Sequence, residues 1–335
     1  MSKVHVTLLI EDFRRLAAAA PDGIRYPALE RAWARGRAVH LEAPTPNHLR
    51  FTLFGIQPEG HLPVAALTHV NDRNARPCND YYWLRADPVT MWADMARVIM
   101  TSHGFADLDP YERNEVEICV RKVLQEEGID LHTDHPERWC IALGRPIEFG
   151  FTPLDEALGM DMAEAMPGHP EARYWRRILN EIQIALHNSP VNARRRAAGK
   201  REINSVWFWG GGFMPDATKH YVLDAVYSDD AVSRGLAIIN DCRTRNQSEA
   251  LESDFSSDGQ AVLIDWSLGS EGAGDAIARL EQLVGRLLDL ADRGQLSVTL
   301  YDGRGHGRRY GPRARRRFWH RRKPLVQALN AETPQ

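Results

Sequence analysis

Cysteine is scarce in this 335-residue chain, and the four that occur, Cys78, Cys119, Cys140 and Cys242, form no C-x-x-C pair and no Cys/His metal pattern. The spacing argues against a zinc-ribbon or disulfide-framed fold. The thiols read as buried free groups in a reducing compartment, which places the protein in the cytoplasm. Long apolar runs are missing too: nothing approaches the roughly 20 residues that span a bilayer, so no membrane association is expected. The apolar run Val4 to Ile10 is closed by Glu11 and Asp12 with no small-residue cleavage site after it, and reads as a strand rather than a signal. A large excess of charge is absent as well. The formal net charge of -3 argues against a globally basic nucleic-acid binder.

What is present is a globular composition, 43% hydrophobic and 26% charged, long enough for one large domain or two ordinary ones. Val4 to Ile10 is β-branched and apolar on both faces, as an inner strand covered by helices on both sides must be. Pro27 to Gly36 then has helical spacing through Leu29 and Trp33, with Pro in the first turn and Gly at the end. In the last third, Ala261 to Ile264 and Leu296 to Tyr301 read as strands. Between them Ile277, Leu280, Val284, Leu287 and Ala291 mark a helical stripe ended by Gly294. Strand, helix, strand at this spacing predicts parallel strands and a sheet with helices on its faces.

The middle of the chain has another texture. Tyr81 to Ala86, Arg97 to Thr101 and Arg138 to Leu143 read as short strands. A helix opens at Asp109, Pro110 and Glu112 and buries Val116, Cys119, Val120, Val123 and Leu124. A second, from about Glu171 to His187, buries Trp175, Ile178, Leu179, Ile182 and Leu186. These suggest an α+β domain over residues 81–187, inserted in a sheet domain made of 1–80 and 188–335.

In an open parallel sheet, ligands bind beyond the carboxyl ends of the strands. The candidates there are Asp12, Asp265, Asp302 and His306, either as a residual metal set or as loop caps. A second constellation is Asn188, Asn192, Arg194, Arg195, Asn204, Trp209 and the run Gly210, Gly211, Gly212. Arginine forks and glycines that admit close backbone approach would suit a small phosphorylated or carboxylate ligand, and a solvated basic turn before a buried strand is the plainer alternative. A third is Arg308 to Lys323, where arginines interleave with Phe318 and Trp319. That pattern suits a nucleic-acid or acidic protein partner, or a tail pinned to the core by its aromatics.

The run HNSPVNARRRAAGKREINSVWFWGGG resembles the segment of archaeal-type cofactor-independent phosphoglycerate mutases in which a His-Pro-Val-Asn turn and an Arg precede a strand ending in Trp-x-Trp-Gly-x-Gly. YPALERAWARG and WLRADPVTM are similar to further elements of that alkaline-phosphatase superfamily. LPVAALTHVND, RWCIAL, LNEIQIALHNSPVN and the terminal RRRFW-x-x-x-x-PL resemble, over nearly the whole chain, bacterial regulatory proteins of the Rpf E type. The resemblance implies an alkaline-phosphatase-like, mostly parallel sheet sandwiched by helices, with a smaller inserted α+β domain. In the mutases it also implies two divalent metals held by Asp and His, and a Ser or Thr nucleophile.

Against that pattern the first strand is followed by Glu11-Asp12-Phe13-Arg14-Arg15, and Asp265-Trp266-Ser267-Leu268-Gly269-Ser270 contains no histidine. The last strand is followed by Asp302-Gly303-Arg304-Gly305-His306, and nothing singles out Thr45, Thr52 or Thr68 as a nucleophile. Two metals about 4 Å apart need more ligands than four dispersed residues supply. The expectation is therefore a regulatory pseudoenzyme without a cofactor. Two alternatives stand beside it: a phosphoglycerate mutase or phosphatase with a reduced Mn, Zn or Mg site, and a binder acting through the basic stretch.

Overall fold

The apolar strand near the amino terminus lies at the centre of a sheet, as its two-faced burial demands. The computed structural model describes residues 4–330 apart from 20–23, 58–59, 75–78, 95–96, 106, 167, 219–222, 257, 268–271, 318 and 321. Among these the strands are β1 (Val4–Ile10), β2 (Arg37–His40), β3 (Tyr82–Ala93), β4 (Val98–His103), β5 (Asp130–His132), β6 (Cys140–Leu143), β7 (Ser205–Gly212), β8 (Ala225–Ser228), β9 (Arg243–Arg245), β10 (Ala261–Trp266), β11 (Leu296–Tyr301) and β12 (His306–Tyr310). Cys119, Cys140 and Cys242 are free thiols, and Cys78 lies outside the described residues.

The chain divides into two compact units, residues 1–57 with 217–335, and residues 58–216. The first holds a seven-stranded sheet in the order β2-β12-β11-β1-β10-β8-β9. β11, β1, β10, β8 and β9 run parallel, and β12 and β2 close one edge by antiparallel pairing. β10 and β11 are parallel as the strand–helix–strand reading predicts, with β1 between them. Val6, Leu8 and Ile10 of β1 pack with Leu29 and Trp33 of the helix Pro27–Arg35 and with Leu280, Val284 and Leu287 of the helix Ala273–Asp292. Leu9, on the opposite face of the strand, is equally buried. Apolar side chains on both faces are what a helix-covered parallel sheet requires.

The second unit is a mixed layer in which β3 pairs antiparallel with β4, β6 and β7, and β5 extends β6. The helices Pro110–Glu126 and Ala172–His187 bury their apolar stripes on it, and the Asp109 carboxylate accepts from the backbone N–H of Tyr111 and Glu112 to start the first of them. The boundaries expected at 81 and 187 fall inside this unit. β7 pairs with β3 over Ser205 to Gly212, and the helix Val64–Arg73 lies on both of these strands, so both elements belong to it. The strand ending in Gly210–Gly212 is therefore not one of the parallel strands.

Candidate functional site

Beyond the carboxyl ends of β1, β8 and β10, one guanidinium organises the acidic strand ends. The helix Pro46–Leu53 begins at Thr45, whose hydroxyl accepts from the His48 N–H at 3.3 Å, with Pro46 at its first position. On its inner side Arg50 is 2% exposed. Its Nε donates to Asp265 Oδ2 at 2.9 Å, its Nη2 to Glu11 Oε2 at 3.0 Å, and its Nη1 to Asn47 Oδ1 at 2.8 Å; Asp230 Oδ1 lies 3.3 Å from Nε. Ser233 Oγ donates to Asp265 Oδ2 at 2.5 Å. Burial alone would lower the Arg50 pKa, but the carboxylates of Asp230, Asp265 and Glu11 hold it well above the usual arginine value. Burial pushes the carboxyls of Glu11 and Asp230 up, against the opposing pull of Arg50.

The remaining expected metal residues are tied up differently. Asp302 Oδ1 accepts from the backbone N–H of Arg304 and His306, both at 3.0 Å, and Oδ2 faces Arg14 Nη2 at 3.4 Å. His306 tilts against His40 with ring centroids 4.7 Å apart, its Nδ1 3.7 Å from Asp302 Oδ2. Asp12 is exposed, precedes a short helix in a left-handed conformation and lies 3.7 Å from Arg15. Asp302 is thus a loop cap, and Asp265 is the counter-ion of a buried arginine. The three threonines are engaged locally: Thr45 in the cap, Thr52 with the His48 carbonyl, Thr68 with the Val64 carbonyl.

A divalent pair does not fit this donor set. Asp265 commits both oxygens, and Glu11 one, to a cation tethered to the chain and permanently charged, and a metal arriving between them would have to displace it. Among the described residues, groups of three or more His, Cys, Asp or Glu with ligand atoms within 4.8 Å of one another are His69–His132–Asp134 and Glu148–His169–Glu171, both in the second unit. None of the four expected metal residues belongs to either.

The Asn, Arg and Gly constellation lies in the second unit, and most of its side-chain donors have protein partners. The segment after His187 is not a turn but the helix Pro190–Ala197, capped by Ser189. Asn192 is fully buried: its Nδ2 donates to the carbonyls of Leu186 and Ile203, and its Oδ1 accepts from the Ile203 N–H. Arg195, also fully buried, donates to Glu112 at 2.6 Å, Asp107 at 2.9 Å and the Arg201 carbonyl at 2.7 Å. Arg194 pairs with Glu115, Asn188 is exposed at the end of the helix Ala172–His187, and Asn204 bonds both backbone groups of Met91. Trp209 Nε1 donates to Asp87 Oδ2 at 2.7 Å, with Arg85 over its ring.

The glycines serve close packing. A Cβ on Gly211 would stand 2.6 Å from the Tyr82 hydroxyl, and one on Gly212 2.5 Å from Pro63. Gly210 takes a left-handed φ of 62°. The side chains of Asn192, Arg194, Arg195, Asn204 and Trp209 are thus engaged with protein groups.

The basic stretch is only partly solvated. Arg308, in β12, donates from Nε to the Trp33 carbonyl at 3.1 Å with its guanidinium over the Trp33 ring, and burial lowers its pKa. Arg315, Arg316, Arg322 and Lys323 are exposed, as is Trp319 at 64%. Phe318 and Arg321 lie outside the described residues. Trp319 therefore does not pin the tail to the core; Leu325 and Leu329 are the buried anchors.

Among the residues that reasoning from the sequence missed, Arg50 is foremost, with Ser233 and Asp230 beside it. The available signal was an arginine flanked by Leu49 and Phe51 just after a Thr-Pro start.

No protein-family model matches the chain. It is 23% identical over 205 residues to the 2,3-bisphosphoglycerate-independent phosphoglycerate mutase of Methanosarcina mazei, covering 58% of this chain and 50% of that protein. It is 36% identical over 67 residues to the Methanosarcina barkeri protein of the same name, covering 20% and 17%. The chain spans about half the length of the Methanosarcina mazei relative, and the Methanosarcina acetivorans protein of that name gives the same picture, 21% identity with 49% of its length covered. Among solved structures, a protein from Pyrococcus horikoshii matches over 100% of this chain and 99% of its own, at 13% identity and a TM-score of 0.54. A cofactor-independent phosphoglycerate mutase from Thermoplasma acidophilum matches at 15% identity and a TM-score of 0.44, covering 93% and 90%. The mixed α/β architecture with its mostly parallel central sheet is thus shared with a solved fold, and the chain is similar in sequence to phosphoglycerate mutases over somewhat more than half its length.

Proposed function

We propose that this chain is a catalytically silent regulatory protein on a phosphoglycerate-mutase-like scaffold, of the kind its Rpf E-type resemblance implies. The observation that carries the reading is Arg50. A buried guanidinium occupies the carboxyl edge of the parallel sheet and takes the charge of Asp265, Glu11 and Asp230. Phosphoryl transfer needs positive charge that faces the substrate phosphate and a hydroxyl free to be deprotonated. Here the positive charge faces protein carboxylates, while Thr45, Thr52 and Ser233 donate to, or accept from, neighbouring protein groups.

The test is turnover of 2- and 3-phosphoglycerate and of nitrophenyl phosphate by the purified chain with Mn, Mg or Zn supplied. No turnover above background is expected. Metal-dependent turnover that disappears in Asp265→Asn would overturn the proposal and favour the reduced-site enzyme.

A further inference from the structure

Within the second unit, a donor set unconnected with the sheet edge described above comes together. His69 is carried by the helix Val64–Arg73, His132 ends β5, and Asp134 lies two residues beyond it. His69 Nδ1 lies 3.8 Å from Asp134 Oδ2, and the two imidazoles meet edge to face with centroids 5.1 Å apart. Both rings are oriented by one indole: His69 stacks on Trp83 at 3.9 Å, and His132 stands edge-on to it at 5.2 Å. One ligand atom from each residue lies within 4.8 Å of the other two.

We propose that His69, His132 and Asp134 form a binding site for a single zinc-class divalent ion, with its remaining position open to solvent. Two imidazole nitrogens and one carboxylate are the donors that zinc and its transition-metal neighbours prefer, whereas magnesium and calcium call for oxygen alone. Zinc bonds of about 2.0–2.2 Å set tetrahedral donors roughly 3.4 Å apart, so the three groups need to close by about an ångström. His69 is 8% exposed and held by its stacking, while His132 and Asp134 reach solvent and can make that adjustment.

The neighbouring charges permit it. Arg73 lies 3.8 Å from Asp134 Oδ1 but is half exposed and can swing into water, and Asp72 is held by Arg138 at 2.5 Å. In the other group, Glu171 is already paired with Arg145 at 2.7 Å.

The experiment is a titration of the metal-free full-length chain with zinc chloride against a chromophoric chelator, paralleled by cobalt(II) absorption. One equivalent per chain and intense tetrahedral cobalt bands are expected. Loss of a partner that merely orients a metal ligand costs about 10–100-fold in affinity, so His132→Ala and Asp134→Asn should each weaken binding at least tenfold. His169→Ala, at the other group, should leave it unchanged. Both test residues sit at the rim, and the circular dichroism of the metal-free variants checks that they fold. Substoichiometric zinc, or full-affinity binding retained in both rim variants, would overturn the proposal. So would loss of binding in His169→Ala alone. The readout is independent of phosphoglycerate turnover, so this site and the proposed silence of the sheet edge fail separately.

Discussion

Arg50 is the residue on which the character of the sheet edge turns, and removing it should be severe. Taking one partner from a buried ionic cluster costs about 3–5 kcal/mol, so Arg50→Met is expected to lose that much in urea denaturation. The deficit should depend on pH. Glu11 and Asp230 have folded pKa values raised above their unfolded ones, first by burial. Their contribution therefore favours the fold at low pH and is lost as pH rises through the raised values. Without Arg50 to offset their charge, the variant should lag the wild type more at pH 8 than at pH 5, and a pH-independent deficit would contradict this picture. Gly305 is a second sensitive position. Its φ is 84°, and a Cβ there would stand 1.8 Å from the Leu41 carbonyl oxygen, so Gly305→Ala should disrupt the β2–β12 edge and lower the thermal midpoint. Asp265 and Asp302 were legible from the sequence as acidic strand ends. Their roles were not, because an arginine in the helix Pro46–Leu53 shows its partners only once residues 11, 230 and 265 are neighbours in space.

Elements with a strong local signal could be read directly. The helix Pro110–Glu126 has its Asp109 cap, and both it and Ala172–His187 have their apolar stripes, in the expected places, since these signals lie within a single stretch of chain. Short strands escaped notice: β2 has no buried residue and β9 is three residues long, so neither offers an alternating pattern. β7 was legible as a strand but not as a partner of β3, because pairing between Trp207 and Asp87 leaves no mark near either. The helix Pro190–Ala197 tests the structural role assigned to Asn192. Asn192→Ala takes the side-chain partner from the buried N–H and carbonyl of Ile203, while the Leu186 carbonyl keeps the Ser189 N–H; at about 1–3 kcal/mol for each unsatisfied group it should destabilise the protein strongly. Asn188→Ala, exposed at a helix end, should stay within about 0.5 kcal/mol of wild type. Equal effects in thermal denaturation would speak against this division.

At the scale of the whole molecule, the mostly parallel sheet was legible because two-faced apolar strands and a strand–helix–strand unit specify it. The second unit reaches beyond the expected bounds at both ends, because the helix Val64–Arg73 packs on β3 and β7 and β7 pairs with the distant β3. The basic stretch is anchored by the short helix Leu325–Asn330 at its carboxyl end. Leu325→Ala or Leu329→Ala should each cost about 2–5 kcal/mol as large-to-small core changes, with a much smaller effect for Trp319→Ala; the comparison is made by denaturant midpoint. The place of β1 has a consequence for biosynthesis. This strand is made well before the two strands that flank it, β10 and β11. On the ribosome its apolar ribbon stays unzipped until Ala261 and then Leu296 have left the exit tunnel. Nascent chains stalled short of β10 should accordingly be sticky clients for holding chaperones, and those released after β11 should not.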